Sequence, residues 1–435
     1  MAGIRRPNTR LPSTKNQIVV ACFLATFIAY VERVGFSIAF TAISQQNSIN
    51  KAAMGGVLSA FYWGYGLSQI PGGWAAQRWG GRRMLSLSFA IWGTASLCMP
   101  SNAKRLWTIM LMRVIVGVAQ GFLIPSIHTV LSLVIPPAER AKAVSLTTSG
   151  MYLGSAAAML VLPRVAQSAG PASIFRLVGL LALLWLLLWR LLTPGPAAQV
   201  SSMPITAADA KDPAGKLRGS TVPWRRMLLH PAVWAIVVNN YTFHYAFYVV
   251  MNWLPTYFEQ VLGSKLADLG WGRTMPYLAM FLASNGGGWL GDYLIHSCQF
   301  SVSSARKTVN SIGFLGVAGA LMLMPAAHGP AQGIAATTLT LTLAGLARGG
   351  FSVNHMDIAP RHAGVVMGIS NTAGTLAGVI GVAVTGVLLQ HAGAGSPLVG
   401  WWQSFGTAAW LVLIGGIAFI LFGRGQNLFG DIEPV

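Results

Sequence analysis

Arg33 lies deep inside a long apolar run, residues 17–43. A charge at the centre of a bilayer costs about 2.5–3.5 kcal/mol on insertion scales, so such a residue faces a cavity and has a partner or a ligand. Helical steps from Arg33 pick out Thr26, Tyr30, Ser37 and Thr41, a polar stripe on an otherwise apolar helix. Arg113, in another run, falls near one face with Gly117, Gln120, Ile124 and His128. A cavity role for it competes with snorkelling toward the nearer interface. A third polar seam repeats every four residues as Asn240, His244, Tyr248 and Asn252. His244 reads either as a proton carrier or as a hydrogen-bonded packing histidine. Arg190 sits at the end of its run, where it can snorkel, and Arg348 lies inside another.

Carboxylates inside the runs are scarce. Glu32 adjoins Arg33, but helical neighbours point in different directions, so it is not automatically Arg33's partner. Glu259 and Asp268 flank a loop, and Asp292 and Asp357 read as turn residues. With guanidinium groups in excess, the cavity is expected to be positive and to favour a small anionic solute. The planar donor fork of arginine suits phosphate and carboxylate alike. Tyr30, Tyr62, Tyr65, Tyr245 and Tyr248 line such a pocket or serve as packing and interfacial aromatics. No nucleophile with a matched base, phosphate-cradling Gly-x-x-x-x-Gly-Lys loop or metal-ligand cluster is present, so neither an enzyme nor an ATP-driven pump is expected, and no cofactor or metal is implied. Cys22, Cys98 and Cys298 have no metal or redox spacing.

The elements that carry these residues must be membrane helices. Of 435 residues, 54% are hydrophobic and 9% charged, too little polar surface to clothe a soluble globule of this length. The net charge of +19 sits in short clusters between apolar runs, which argues against nucleic acid as a partner and for the lipid membrane. Since a span needs about 20 apolar residues, twelve are expected, near 17–43, 54–77, 84–102, 105–135, 141–165, 173–193, 231–262, 268–290, 307–325, 331–352, 362–390 and 401–423. The chain therefore reads as all-α, with a six-helix bundle over 1–193, a polar linker over 194–230 and a second bundle over 231–435. Eighteen basic residues fall on the side shared by both termini and seven on the other, which places the termini and the linker in the cytoplasm. The short segment before the first span reads as neither a plastid transit peptide nor a signal peptide, leaving that span as its own targeting signal.

The two bundles are repeats. Gly72-Gly73-Trp74 recurs 215 residues later as Gly287-Gly288-Trp289. Three residues after each Trp comes a polar side chain, Gln77 or Asp292, and then a basic cluster, Arg78, Arg82 and Arg83 or Arg306 and Lys307. Gly150-x-x-x-Gly154 is echoed in the same way by Gly374-x-x-x-Gly378. Parallel repeats of this size in a membrane chain mark two similar bundles around a central site. A carboxylate at Asp292, close to helix ends and to the Arg306/Lys307 cluster, is expected to latch the two halves in one state.

Phe61-Tyr-Trp-Gly-Tyr-Gly-Leu-Ser-Gln-Ile-Pro-Gly-Gly-Trp74, Trp253-Leu-Pro-Thr-Tyr-Phe258, Ser311-Ile-Gly-Phe-Leu-Gly316, Asn354-His-Met-Asp-Ile-Ala-Pro-Arg361 and Gly368-Ile-Ser-Asn-Thr-Ala-Gly374 carry a resemblance over both halves. The chain resembles the anion:cation symporter family of the major facilitator superfamily, and within it the plant organellar phosphate branch more than the vesicular glutamate transporters or sialin. The resemblance implies a secondary active transporter working by alternating access, with phosphate as substrate and a co-transported sodium ion or proton. The alternative it leaves open is an organic anion of the glutamate, sialate or hexuronate type. A non-transporting membrane sensor would keep the same fold. Residue by residue, it implies anion binding and gating at Arg33 and Arg113. The polar seams add Tyr30, Tyr65, Gln120, His244 and Tyr248 as further candidate site residues, Glu32 and His244 as coupling candidates, and Gln77, Arg78, Arg82, Asp292 and Arg306 as the expected gate. Two departures stand out: Gln120 replaces the family's usual glutamate, and Gln77 replaces a frequent aspartate. The short leader resembles Golgi-type members, with plastid or plasma membrane as other addresses.

Overall fold

A computed structural model describes residues 14–49, 51–100, 105–136, 139–193, 222–264, 272, 274–392 and 397–429. They form α1 (Thr14–Gln46), α2 (Lys51–Trp79), α3 (Gly81–Leu97), α4 (Leu106–Gly121), α5 (Leu123–Val134), α6 (Arg140–Ala169), α7 (Ala172–Leu192), α8 (Trp224–Leu229), α9 (Pro231–Gln260), α10 (Met275–His296), α11 (Val302–Leu323), α12 (Pro330–Ile358), α13 (Ala363–Ala392) and α14 (Pro397–Phe422). The expected spans match helices with ends displaced by up to seven residues, the largest shift being α10 at Met275–His296 against 268–290, and there are two further differences. The fourth is broken, α4 ending at Gly121 and α5 starting at Leu123. The end of the expected linker is the short helix α8, while its stretch 194–221 lies outside the described residues.

Local chemistry sets the helix ends. A single residue separates α2 from α3; it is Gly80 at φ 90°, which a side chain would strain. Proline opens α9, α10 and α12 within the first two positions, where no N–H is needed. The Ser301 side chain caps α11 by accepting from the Ser304 N–H at 3.1 Å.

Six helical stretches are long and apolar enough to cross a membrane unaided, Lys15–Ser44, Leu106–Val134, Arg140–Ala169, Ala172–Leu192, Pro360–Leu389 and Leu398–Phe422. The other spans pack among them. Leu67, Leu191, Trp107 and Trp410 point outward at 70% exposure or more, tolerable only with lipid as solvent.

Glycine sets how closely the helices approach, and the repeats use it alike. In α2, Gly72 lies against Phe122 of its own set of spans, whereas a Cβ on Gly73 would sit 2.3 Å from the Gly364 carbonyl of α13. In α10, Gly287 lies against Leu346, whereas Gly288 meets Ser145 and Ala141 of α6. In both copies the first glycine packs within the bundle, the second packs across it and the Trp faces outward. The α2/α13 and α10/α6 seams are therefore equivalent halves of one interface.

Candidate functional site

The stripe on α1 brings Arg33 into an aromatic cage. Its guanidinium carbon lies 4.7 Å from the Tyr30 ring centroid, 4.8 Å from Phe61 and 4.3 Å from Tyr65, the geometry in which ring quadrupoles hold a cation. Arg33 Nε donates to Gln120 Oε1 at 3.0 Å. Gln120 Nε2 in turn donates to Glu32 Oε2 at 2.9 Å, and Arg113 Nη1 donates to Glu32 Oε1 at 2.6 Å. One turn of α1 and one face of α4 thus build the chain Arg113, Glu32, Gln120, Arg33.

This chain separates the two arginines by role. Arg113 is 3% exposed, stacks on Phe36 at 3.9 Å, and has its charge answered by Glu32, itself 2% exposed. It neither snorkels nor stands free. Arg33 is held by rings and a neutral amide, and none of the ion pairs among the described residues includes it. Glu32 is indeed not Arg33's partner; its two oxygens go to α4. A buried pair with both carboxylate oxygens bonded is costly to break from either side.

Tyr30, Tyr65, His244 and Tyr248 line one cavity with Tyr152, Asn371 and Arg348. Arg33 stands behind the Tyr30 and Tyr65 wall. His244 Nδ1 lies 2.9 Å from the Asn240 carbonyl, a contact that requires N–H at Nδ1 and leaves Nε2 as the acceptor. Asn371 donates to the Tyr65 hydroxyl at 3.1 Å, and the Ser370 carbonyl accepts from Asn240 at 2.7 Å. The Gly368 to Gly374 motif thereby ties α13 to α2 and α9. Tyr245 is 3% exposed and packs in the core, whereas Tyr62 is 45% exposed.

The expected gate residues gather at the end of the molecule bearing the basic clusters. Asp292 accepts a hydrogen bond from the backbone N–H of Lys142 at 3.1 Å, in the first turn of α6 and so across the two sets of spans. Arg306 does not make that bond. It is 1% exposed and its Nε donates to Asp357 at 2.9 Å, because Asp357 belongs to the buried last turn of α12 rather than to a turn. Beside them Arg140 donates to the carbonyls of Ile135, Ser132 and, across the interface, Met356. Gln77 keeps a buried Oε1 with no hydrogen-bond partner. Arg78 and the half-buried Arg82 lie near the same end, at the turn between α2 and α3.

Residues the sequence reading left without a role also stand in this interior. Arg348 donates to the Tyr152 hydroxyl at 3.1 Å. The His128 and His355 rings meet edge to face at 5.4 Å. Tyr152 lies between Gly150 and Gly154, and Asn371 inside a quoted motif, so spacing marked both positions without giving their partners.

Twelve membrane helices in two repeated sets, closed on each other at one end around a polar chamber, define a multi-pass membrane protein of the transporter type. The chain belongs to the Major Facilitator Superfamily, whose profile matches residues 22–382. It is 46% identical over 421 residues to "Probable anion transporter 6" of Oryza sativa subsp. japonica, covering 95% of this chain and 98% of that one. It is 35% identical to "Sodium-dependent phosphate transport protein 1, chloroplastic" of Arabidopsis thaliana, over 94% of this chain and 79% of that one. It is 33% identical to "Ascorbate transporter, chloroplastic" of the same plant, over 94% and 75%. These relatives agree with the anion:cation symporter resemblance.

Proposed function

We propose that the chain is a secondary active transporter of a small anion, inorganic phosphate, moved by alternating access and coupled to an ion gradient. The observation that carries it is Arg33, a cation in an aromatic cage behind the wall of the central chamber, whose polar partners are the Gln120 amide and the Tyr65 hydroxyl, neither of them a carboxylate. A guanidinium in that setting lacks an anion, and a solute supplies one. The closed end, with Asp292 on Lys142 and Gly73 on Gly364, is one state of the cycle, and breaking those contacts opens the chamber to the other side. In this reading the first and second six spans are the rocking bundles, 194–230 is the linker between them, and the basic end, with both termini, faces the cytoplasm. The sodium-dependent phosphate relative favours sodium as the coupling ion. A second reading, an organic anion, is favoured by the ascorbate relative.

The test is uptake of labelled phosphate and ascorbate by the purified chain in proteoliposomes, with and without a sodium gradient. Arg33→Ala should lower uptake of the true substrate at least about tenfold, with insertion preserved because a membrane charge has been removed. Arg33→Lys should rescue little, since an ammonium cannot make the two-pronged contact. Undiminished uptake by the alanine variant would take Arg33 out of the site.

A further inference from the structure

Arg348 is a second buried guanidinium without a carboxylate. It sits in α12 at 6% exposure among small residues, Gly345, Ala347, Gly349 and Gly350. Its one hydrogen bond runs to the Tyr152 hydroxyl, its carbon lies 5.2 Å from the Phe243 ring, and its Nε is buried with no partner. A guanidinium has five N–H donors. The ion pairs among the described residues are Lys15–Glu139, Glu32–Arg113 and Arg306–Asp357, none of which involves Arg348. Yet Arg348 lines the same cavity as Tyr30 and Tyr65, two of the three rings that hold Arg33.

The charge around the cavity follows from these contacts. Glu32 cancels Arg113, and Arg33 and Arg348 remain, one from each set of spans. No protonation change offsets them, because the group on Arg33 is an amide where the resemblance leads one to expect a titrating acid. Arg348 lines the chamber and Arg33 stands directly behind its Tyr30 and Tyr65 wall, and two fixed positive charges at one small chamber call for two negative charges in the solute.

We propose that Arg33 and Arg348 form a two-armed clamp, one arm from each bundle, for a doubly charged tetrahedral oxyanion, the dibasic form of phosphate. This rests on the anion-transport reading and narrows it to a charge state. The bond from Arg348 to Tyr152 is the placeholder of the empty state, released when the anion arrives. His244, whose Nε2 is left as an acceptor, takes the hydroxyl of the bound dianion. Because the anion touches both bundles, its binding draws them together, whereas the empty chamber has contacts to phenol hydroxyls across the same gap, Arg348 to Tyr152 and Asn371 to Tyr65.

The test uses the full chain in proteoliposomes at zero membrane potential, with labelled phosphate from pH 6 to pH 8, over which the solute passes from mainly monobasic to mainly dibasic. The KM for total phosphate should fall as pH rises. Sulfate, a dianion throughout, should compete equally at both ends of the range, and ascorbate, a monoanion, should compete at least about tenfold more weakly. The other titratable side chains facing the cavity are His244 and the tyrosines 30, 65, 152 and 248. His244→Gln should raise KM yet keep the slope, which assigns the slope to the solute. Arg348→Gln should raise the phosphate KM at least about tenfold, whereas Tyr152→Phe, which frees the arginine from its placeholder bond, should lower it. Wild-type KM in Arg348→Gln, or a KM that rises with pH in the wild-type chain, overturns the clamp. Should Arg348→Gln not be recovered folded, Arg348→Lys and the wild-type profile decide the matter on the same criteria. Absence of uptake of every anion by the wild-type chain would instead overturn the transport reading itself.

Discussion

Gln120 is the residue on which the charge logic of the chamber turns. Its amide faces two ways, accepting from Arg33 through Oε1 and donating to Glu32 through Nε2, and an amide satisfies both neighbours without carrying charge at any pH, as a carboxyl does only while protonated. Gln120→Glu, once ionised, loses the donor, sets a second carboxylate beside Glu32 and offers Arg33 a counter-ion. Like charge from Glu32 favours the protonated form of the new acid and Arg33 favours the ionised one, so the new group titrates where the native one does not. The expected result is anion affinity that weakens with rising pH, as the ionised glutamate takes Arg33 from the solute, together with substrate-driven proton movement seen by a pH dye. A variant whose pH response matches the native chain would show that position 120 does not control the charge on Arg33. The sequence made Arg33, Glu32, Arg113 and Gln120 legible as a group, because charged and amide side chains are conspicuous in apolar runs. It did not make the pairing legible. Helical periodicity put Gln120 on the face of Arg113, but the contact it makes is to Arg33, since side-chain reach across a helix pair depends on the approach of α1 to α4.

At the scale of elements, that approach is governed by bare backbone. Gly117 of α4 faces α2 so closely that a Cβ would lie 2.1 Å from the Phe61 carbonyl and 3.0 Å from the Tyr65 N–H. Phe61 and Tyr65 are two of the rings around Arg33. Gly117→Ala must push α2 away and loosen the cage, and overpacking of this kind costs about 1–3 kcal/mol. Gly286 of α10, by contrast, has nothing within 4 Å of its notional Cβ. Gly286→Ala should be neutral or stabilise by up to about 1 kcal/mol through helix propensity. Thermal unfolding in detergent separates the two: a lower midpoint and weaker anion stabilisation for Gly117→Ala, an unchanged or higher midpoint for Gly286→Ala. Equal midpoints would show that the contact at Gly117 yields without loss. Spacing in the sequence showed small residues at Gly117, at Gly150 and Gly154, and at Gly374 and Gly378. Which helix each one meets depends on how the repeats are stacked, and no local pattern encodes that. The break between α4 and α5 was hidden for a related reason, since the hydropathy of 105–135 runs through it unchanged.

For the whole molecule, the alternating-access proposal gives the duplicated glycine pair a task, to let two bundles seal one end and still part. The first glycine of each copy is committed to its own bundle, while the second carries the seam, Gly73 against Gly364 and Gly288 against Ser145. A seam of close backbone approaches with two polar links, Asp292 to the Lys142 N–H and Arg140 to the Met356 carbonyl, holds by contact at short range and is lost once the surfaces part. Such a surface suits an equilibrium between two packings of similar energy. Gly73→Ala tests this at the seam alone. A Cβ at 2.3 Å from a backbone carbonyl blocks closure at the basic end, yet it leaves the opposite state without added strain. A penalty of about 1–3 kcal/mol on one of two states shifts their ratio by roughly 5- to 150-fold. A cysteine at position 371, buried at 8% exposure in the closed arrangement, should then react with an impermeant thiol reagent applied from the basic side, and substrate exchange should slow because one half of the cycle is disfavoured. Gly72→Ala, whose Cβ meets Phe122 within its own bundle at 3.1 Å, should not open the basic side. Equal labelling in both variants would place the gate elsewhere than at the second glycine of the repeat.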